Sequence, residues 1–422
     1  MTAVPTQRRP ASEEGAPPEE SAASDRPAVG PRFAIVSAGV LTIAVTYGLA
    51  RYGYGLFVPQ FREAFNLSAS GIGLLATGAY AIYLAATALI AWAAPRLGLR
   101  MPVVVAGALA AGGMGLIAIA RDPLTLIAGV LVAGASSGLA YPPFSQAVKR
   151  LLPESQQATA VAVINSGTSY GVLVSGPLAL IAGGQWRLAW AAFALLAVAA
   201  TVWSALVLPR EGPVPREEQA VGGVSTTLFS RRSIDLFGAA LTIGFGTSVY
   251  WTFAVDLVSR SGALPPAAGR LLVVLIGVAG IVAGFTGVAV RRFGTRATFY
   301  VSTGALGGAL LLLAIDAGAW ASVGVSGFMF GAAYFAATAC LGMWSLRLFP
   351  DRPAAGFGAT YFLISVGQLI GPFPAGLLAE AAGLERAFYV GAALTFATLL
   401  FVRPRGETEG LSSPSRPFDA AR

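Results

Sequence analysis

Between Phe33 and Val402 the chain alternates long apolar stretches with short breaks that carry charge, proline or glycine. The stretches lie near 33–58, 70–94, 101–120, 124–148, 158–183, 187–208, 234–258, 269–290, 297–316, 319–346, 355–380 and 386–402. A helix needs about 20 such residues to cross roughly 30 Å of hydrocarbon, and lipid offers no partner to an open backbone. The pattern therefore predicts an all-α integral membrane protein with twelve transmembrane helices. Composition agrees: 55% of residues are hydrophobic and 11% charged, against about 25% charged in soluble domains.

The breaks set the organisation. Residues 1–32 are rich in Pro, Ala and Glu and lack the apolar core of a leader peptide, so they read as a disordered cytoplasmic tail. Residues 209–233, "PREGPVPREEQAVGGVSTTLFSRRS", have the Pro, Gly and charge content of a linker, and 404–422 form a second tail. A six-helix bundle over 33–208 and another over 234–403 follow. Basic residues gather in alternate loops: Arg96 and Arg100, Lys149 and Arg150, Arg210 to Arg232, Arg291 to Arg296, Arg347 and Arg352. By the positive-inside rule both termini and the linker face the cytoplasm, in the cell membrane. The net charge of +8 then records topology and does not call for nucleic acid.

Missing residue types exclude much chemistry. There is no histidine, and Cys340 is the only cysteine, so histidine-assisted hydrolysis, a metal centre and an intrachain disulfide are not expected. Lys149 is the only lysine and has no glycine-rich run before it, which rules out a phosphate-cradling ATP loop. No enzyme activity and no cofactor are expected, and any work draws on a gradient.

The halves repeat. Pro95-Arg-Leu-Gly-Leu-Arg100 follows span two and Arg291-Arg-Phe-Gly-Thr-Arg296 follows span eight. Arg150-Leu-Leu-Pro-Glu154 matches Arg347-Leu-Phe-Pro-Asp351, and Gly176-Pro177 matches Gly371-Pro372. With these landmarks the chain resembles the major facilitator superfamily from Phe33 to Val402. Arg96, Gly98 and Arg100, with Arg292, Gly294 and Arg296 in the second half, fit the family's loop between spans two and three. The acidic position of that loop is Pro95 here and Arg291 in the repeat, which departs from the family's charge lock. "RYGYGLFVPQFREAFNLS" (51–68) and "GASSGLAYPPFSQAVKRLLP" (134–153) are similar to the first and fourth spans of monocarboxylate and oxalate/formate-type carriers and related bacterial permeases. The arginine many drug exporters carry in span four is replaced by Val130. The resemblance implies two pseudo-symmetric bundles, substrate held between them near the midplane, and alternating access.

Arg51 stands out because an arginine inside a span costs at least about 2.5 kcal/mol and usually faces a cavity or a partner. On an ideal helix Tyr47, Arg51, Tyr54 and Val58 share one face. Aligning Leu41-Thr-Ile43 with Leu241-Thr-Ile243 sets Tyr250, Trp251 and Thr252 opposite Arg51. Three readings stand: contact with substrate or a coupling ion, snorkelling to the outer interface, or a gate closed with Asp256. Asn165 and Ser169, four residues apart in span five, are further candidates for the cavity wall, beside Gln146, Tyr170, Tyr334, Tyr361 and Gln368. Gly176-Pro177 reads either as a packing kink or as the core of an antiporter motif. No Asp or Glu lies deep in a span, so a buried cation favours a small organic anion as substrate, with a proton as a further coupling candidate. An efflux antiporter for drugs or metabolites is the alternative, and a non-transporting membrane sensor a remote one. The chain is expected to work as a monomer in the bilayer.

Overall fold

The computed structural model describes residues 30–209 and 231–401, and the apolar stretches within them are helical. The expected tails and most of the 209–233 linker lie outside the described residues. Two helix starts, those of Ala69–Leu97 and Pro123–Leu151, are capped by short polar side chains. Ser68 Oγ accepts from the Gly71 amide at 3.0 Å, and Asp122 accepts from the Thr125 hydroxyl at 2.7 Å and its amide at 2.9 Å. Those bonds from Thr125 hold the Asp122 carboxyl below its usual range.

The first span is segmented. Helix α1 (Pro31–Ile43) runs into a π-helical stretch (Ala44–Arg51), followed by α2 (Gly53–Leu56) and α3 (Val58–Phe65). Then come α4 (Ala69–Leu97), α5 (Arg100–Ile119), α6 (Pro123–Leu151), α7 (Glu154–Ala182) and α8 (Trp186–Val207). The second half holds α9 (Arg231–Arg260), α10 (Ala267–Val282), α11 (Thr286–Ile315), α12 (Trp320–Leu348), α13 (Pro353–Ile370), α14 (Pro372–Ala382) and α15 (Leu384–Ala397).

Among the described residues, ten segments are long and apolar enough to cross a membrane. One of them, Ala267–Ile315, is 49 residues long and divides at Gly294, whose φ of 83° and ψ of 157° leave the helical region. Helix α7 adds the remaining span; its Glu154, Gln156, Gln157 and Asn165 thin its apolar signal. Twelve spans result.

The repeat is visible in the backbone. Gly98 and Gly294 both turn the chain with positive φ, 66° and 83°, a conformation glycine adopts without steric cost. Around them Arg96 lies 4.4 Å from the Trp92 ring, Arg292 5.4 Å from Phe293 and Arg296 5.6 Å from Tyr300; Arg100 opens α5. The two Gly-Pro pairs diverge, however. Helix α7 continues through Pro177, whereas Gly371-Pro372 separates α13 from α14.

Burial orders the helices. The windows of spans one, four, seven and ten are 61%, 56%, 83% and 56% buried, against 28–50% in the other apolar segments. These four stand at the centre. Leu195, Leu206 and Val301 on α8 and α11 face outward, where a bilayer has room for apolar side chains. The halves meet along α7 against α10 and α4 against α14, with α2 and α3 touching α9. A Cβ on Gly176 would strike the Val274 side chain of α10, so this glycine lets α7 and α10 approach closely.

Candidate functional site

The site grows from the irregular first span. The Tyr52 amide donates to the Tyr47 carbonyl at 3.0 Å, a five-residue step that widens the helix and shifts its register. Beyond it Phe57 leaves the helical region, with φ −110° and ψ 9°, ahead of Pro59, which has no amide to donate. The single face expected for Tyr47, Arg51, Tyr54 and Val58 therefore does not persist. Val58 is fully buried. Tyr54 donates its hydroxyl to the Ile72 carbonyl at 3.1 Å and packs near Phe61. Tyr52 comes beside Arg51 instead.

Arg51 sits in a cage of tyrosines. Its guanidinium carbon is 3.8 Å from the Tyr83 ring, 5.0 Å from Tyr80, 5.5 Å from Tyr47 and 5.6 Å from Tyr52. Ring faces attract cations and soften the cost of burying one. From the other half, Gln368 Oε1 accepts from Arg51 Nη2 at 2.8 Å. Gln368 Nε2 in turn reaches the Tyr334 hydroxyl at 3.5 Å, which lies 2.9 Å from the Tyr52 hydroxyl. Arg51, Gln368, Tyr334 and Tyr52 thus form a hydrogen-bonded chain that crosses the seam between the halves.

Two donors in this region are left over. Arg51 Nε and Trp251 Nε1 are buried and have no hydrogen-bond partner among the described residues. Leaving a buried donor unpaired costs about 1–3 kcal/mol. Both residues line one cavity of about 20 Å³ together with Tyr54, Tyr80, Val130 and Thr252, room for about one water. No salt bridge to Arg51 is formed among the described residues.

The placement of the other candidates is mixed. Trp251 joins the site by stacking on Tyr52, centroids 4.2 Å apart. Tyr250 does not: its hydroxyl is bonded to Ser326 Oγ at 2.7 Å and its ring stacks on Phe330 at 3.8 Å. Consecutive helical residues point about 100° apart, so Trp251 and Tyr250 cannot both face the cavity. Asn165 is exposed and bonds the Tyr141 hydroxyl at 3.4 Å, while Ser169 is buried where α7 crosses Gly280 of α10. Neither lines the cavity beside Arg51.

Asp256 does not pair with Arg51. It accepts from Arg62 Nη1 at 3.0 Å and from Arg260 Nε at 2.9 Å. Its side chain is 1% exposed, those of the arginines 29% and 31%. Arg62 belongs to the first half and Asp256 to the second, so this ion pair ties the halves at the end opposite the described termini. Nearby, the Ser70 amide donates to Glu380 at 2.9 Å and Thr77 Oγ1 to the Leu369 carbonyl at 3.0 Å. Gly73 lies so close to Pro372 that a Cβ would run into the Pro372 carbonyl. This end of the seam is shut.

Sequence reasoning overlooked Tyr52, Tyr80, Tyr83 and Arg62. Tyr80 and Tyr83 had a signal, since "AYAIY" puts two tyrosines three residues apart on one helix face. Arg62 had none, because a cation at a span's end is ordinary.

The model of the Major Facilitator Superfamily matches residues 40–254. The hexuronate transporter of Bacillus subtilis (strain 168) is 24% identical over 396 residues, covering 84% of this chain and 91% of that protein. Human monocarboxylate transporter 11 is 31% identical over 220 residues, 50% of this chain and 46% of its own length. Among solved structures, a point mutant of the nucleoside transporter NupG superposes with a TM-score of 0.71 at 12% identity, covering 89% of this chain and 100% of that one.

Proposed function

Since the chain belongs to the major facilitator superfamily, we propose that it is a secondary transporter of a small organic anion, a carboxylate, working by alternating access between its two six-helix halves. The observation that carries this reading is Arg51: a caged cation at the seam whose hydrogen-bond partner is the neutral amide of Gln368 and whose Nε is unpaired. A carboxylate arriving there supplies the missing charge and accepts from the free donor, a charge-assisted bond of about twice the usual strength. The relatives named for hexuronate and monocarboxylate transport accord with an acidic substrate.

Orientation follows from the basic turns at Arg96 to Arg100 and Arg292 to Arg296, which put the described termini at the cytoplasmic face of the cell membrane. The Arg62–Asp256 pair is then an outer gate, closed in this structure. The glycine turns at 98 and 294 are hinges about which the halves rock, with Arg96, Arg100, Arg292 and Arg296 anchoring them at the inner interface. Gly176-Pro177 is a close-packing element and not an export signature.

Uptake or counterflow in proteoliposomes, with labelled monocarboxylates, dicarboxylates and a cationic dye, tests the reading. Saturable carboxylate flux that disappears in Arg51→Ala is expected. Dye transport that survives Arg51→Ala, with no carboxylate flux, would overturn it.

A further inference from the structure

The substrate reading uses only one of the two unpaired donors in the cavity. Trp251 Nε1 is the other. Trp251 is 7% exposed and its ring is held on three sides: Tyr52 stacks at 4.2 Å, Phe330 meets it edge-on at 5.3 Å and Tyr334 at 5.9 Å. So fixed, the indole cannot turn its N–H toward another acceptor without unstacking from Tyr52. An apolar cavity wall would be served as well by phenylalanine, which buries no donor.

We infer that Trp251 is a specificity-determining residue: its indole N–H receives a second oxygen of the transported anion, so the preferred substrates are short carboxylates bearing a hydroxyl or carbonyl besides the carboxylate. This rests on Arg51 binding the carboxylate. The two donors come from opposite halves, Arg51 from the first span and Trp251 from α9, and both border the same water-sized cavity. Tyr52 joins them, its ring 5.6 Å from the guanidinium carbon and 4.2 Å from the indole. A molecule with acceptors at both ends of a short carbon chain satisfies both donors and draws the halves together. One with the carboxylate alone leaves the indole unpaired, and a site built to bond a polar group discriminates strongly against an analogue lacking it.

The test is competitive counterflow in proteoliposomes with butyrate and its 2-, 3- and 4-hydroxy derivatives, in wild type, Trp251→Phe and Arg51→Ala. At least one hydroxybutyrate is expected to exceed butyrate about tenfold in kcat/KM, equivalent to about 1.4 kcal/mol. In Trp251→Phe, which keeps the stacking ring and removes the donor, the ratio of the two kcat/KM values, hydroxybutyrate over butyrate, falls to within about twofold. Wild type that moves butyrate as well as every hydroxybutyrate, or a preference that survives in Trp251→Phe, overturns the inference and leaves the carboxylate reading intact. Loss of carboxylate specificity altogether, with Arg51→Ala as active as wild type, overturns both. Should Trp251→Phe not fold, thermal stabilisation of detergent-solubilised wild type decides: a larger Tm rise with a hydroxybutyrate than with butyrate is expected, and equal rises overturn the inference.

Discussion

Arg51 Nη2 donates to Gln368 Oε1 at 2.8 Å across the seam between the two halves. The acceptor is an amide where a charge-balanced site would have a carboxylate. Gln368→Glu supplies that carboxylate from within. The new ion pair competes with the substrate, so KM for the transported anion is expected to rise at least about tenfold, given that breaking a buried pair costs about 3–5 kcal/mol. Initial-rate uptake over a range of substrate concentrations checks it, and an unchanged KM counts against Arg51 as the anion site.

Asp256 accepts from two arginines at once. Removing it frees both, but each is about a third exposed and regains water, so the expected loss is about 1–2 kcal/mol and not the full cost of a stranded buried charge. Asp256→Asn should therefore raise outward opening about 5–30-fold. The rate at which an impermeant maleimide labels a cysteine placed at Ala76, a buried residue of the cavity wall, reports this. Arg62→Ala removes the same bond across the seam, since Arg260 and Asp256 both lie on α9, and should raise labelling to a similar degree.

Gly73 has no room for a side chain. Its Cβ would meet the Pro372 backbone carbonyl, which cannot step aside as a side chain can. Overpacking of this kind costs about 1–3 kcal/mol and falls only on the state with the outer seam closed. Gly73→Ala is expected to slow transport and to speed maleimide labelling at position 76. Gly112→Ala, where a Cβ meets nothing within 4 Å, should change neither.

Charge at the site is insensitive to pH because a guanidinium keeps its proton across the whole working range. The titrating partner is the substrate, whose carboxylate ionises at about pH 4–5. Apparent affinity should stay flat from about pH 8 to 6 and fall as the substrate becomes neutral, with KM in terms of the anion constant throughout. A midpoint at about pH 6–7, outside the carboxylate range, would reveal a protonatable protein group in the pathway.

Much of the fold was legible because its rules act along the chain: bilayer thickness sets span length, and the R-φ-G-x-R turns recur with the same positive-φ glycine at 98 and 294. The site was less so. Arg51 and Trp251 were found by charge and by internal symmetry, but the face assigned to Tyr47, Arg51, Tyr54 and Val58 assumed a uniform period of about 3.6 residues. The π-helical stretch at Ala44–Arg51 breaks that period, which brought Tyr52 to Arg51 and turned Tyr54 toward Ile72. Asp256 was expected to pair with Arg51, yet its partner across the seam is Arg62 on α3, beyond the break at Phe57, where helical counting from Arg51 no longer holds. Tertiary pairing decided both.

The central claim is that Arg51 binds the transported anion, and counterflow of a labelled carboxylate through wild type, Arg51→Lys and Arg51→Ala tests it most directly. Arg51→Lys keeps the charge but loses the planar fork, and it should retain reduced flux with a raised KM. Arg51→Ala should lose flux about 100-fold, the cost of about 2.7 kcal/mol in transition-state binding, while eluting as the same folded species. Carboxylate counterflow undiminished in Arg51→Ala would contradict the account.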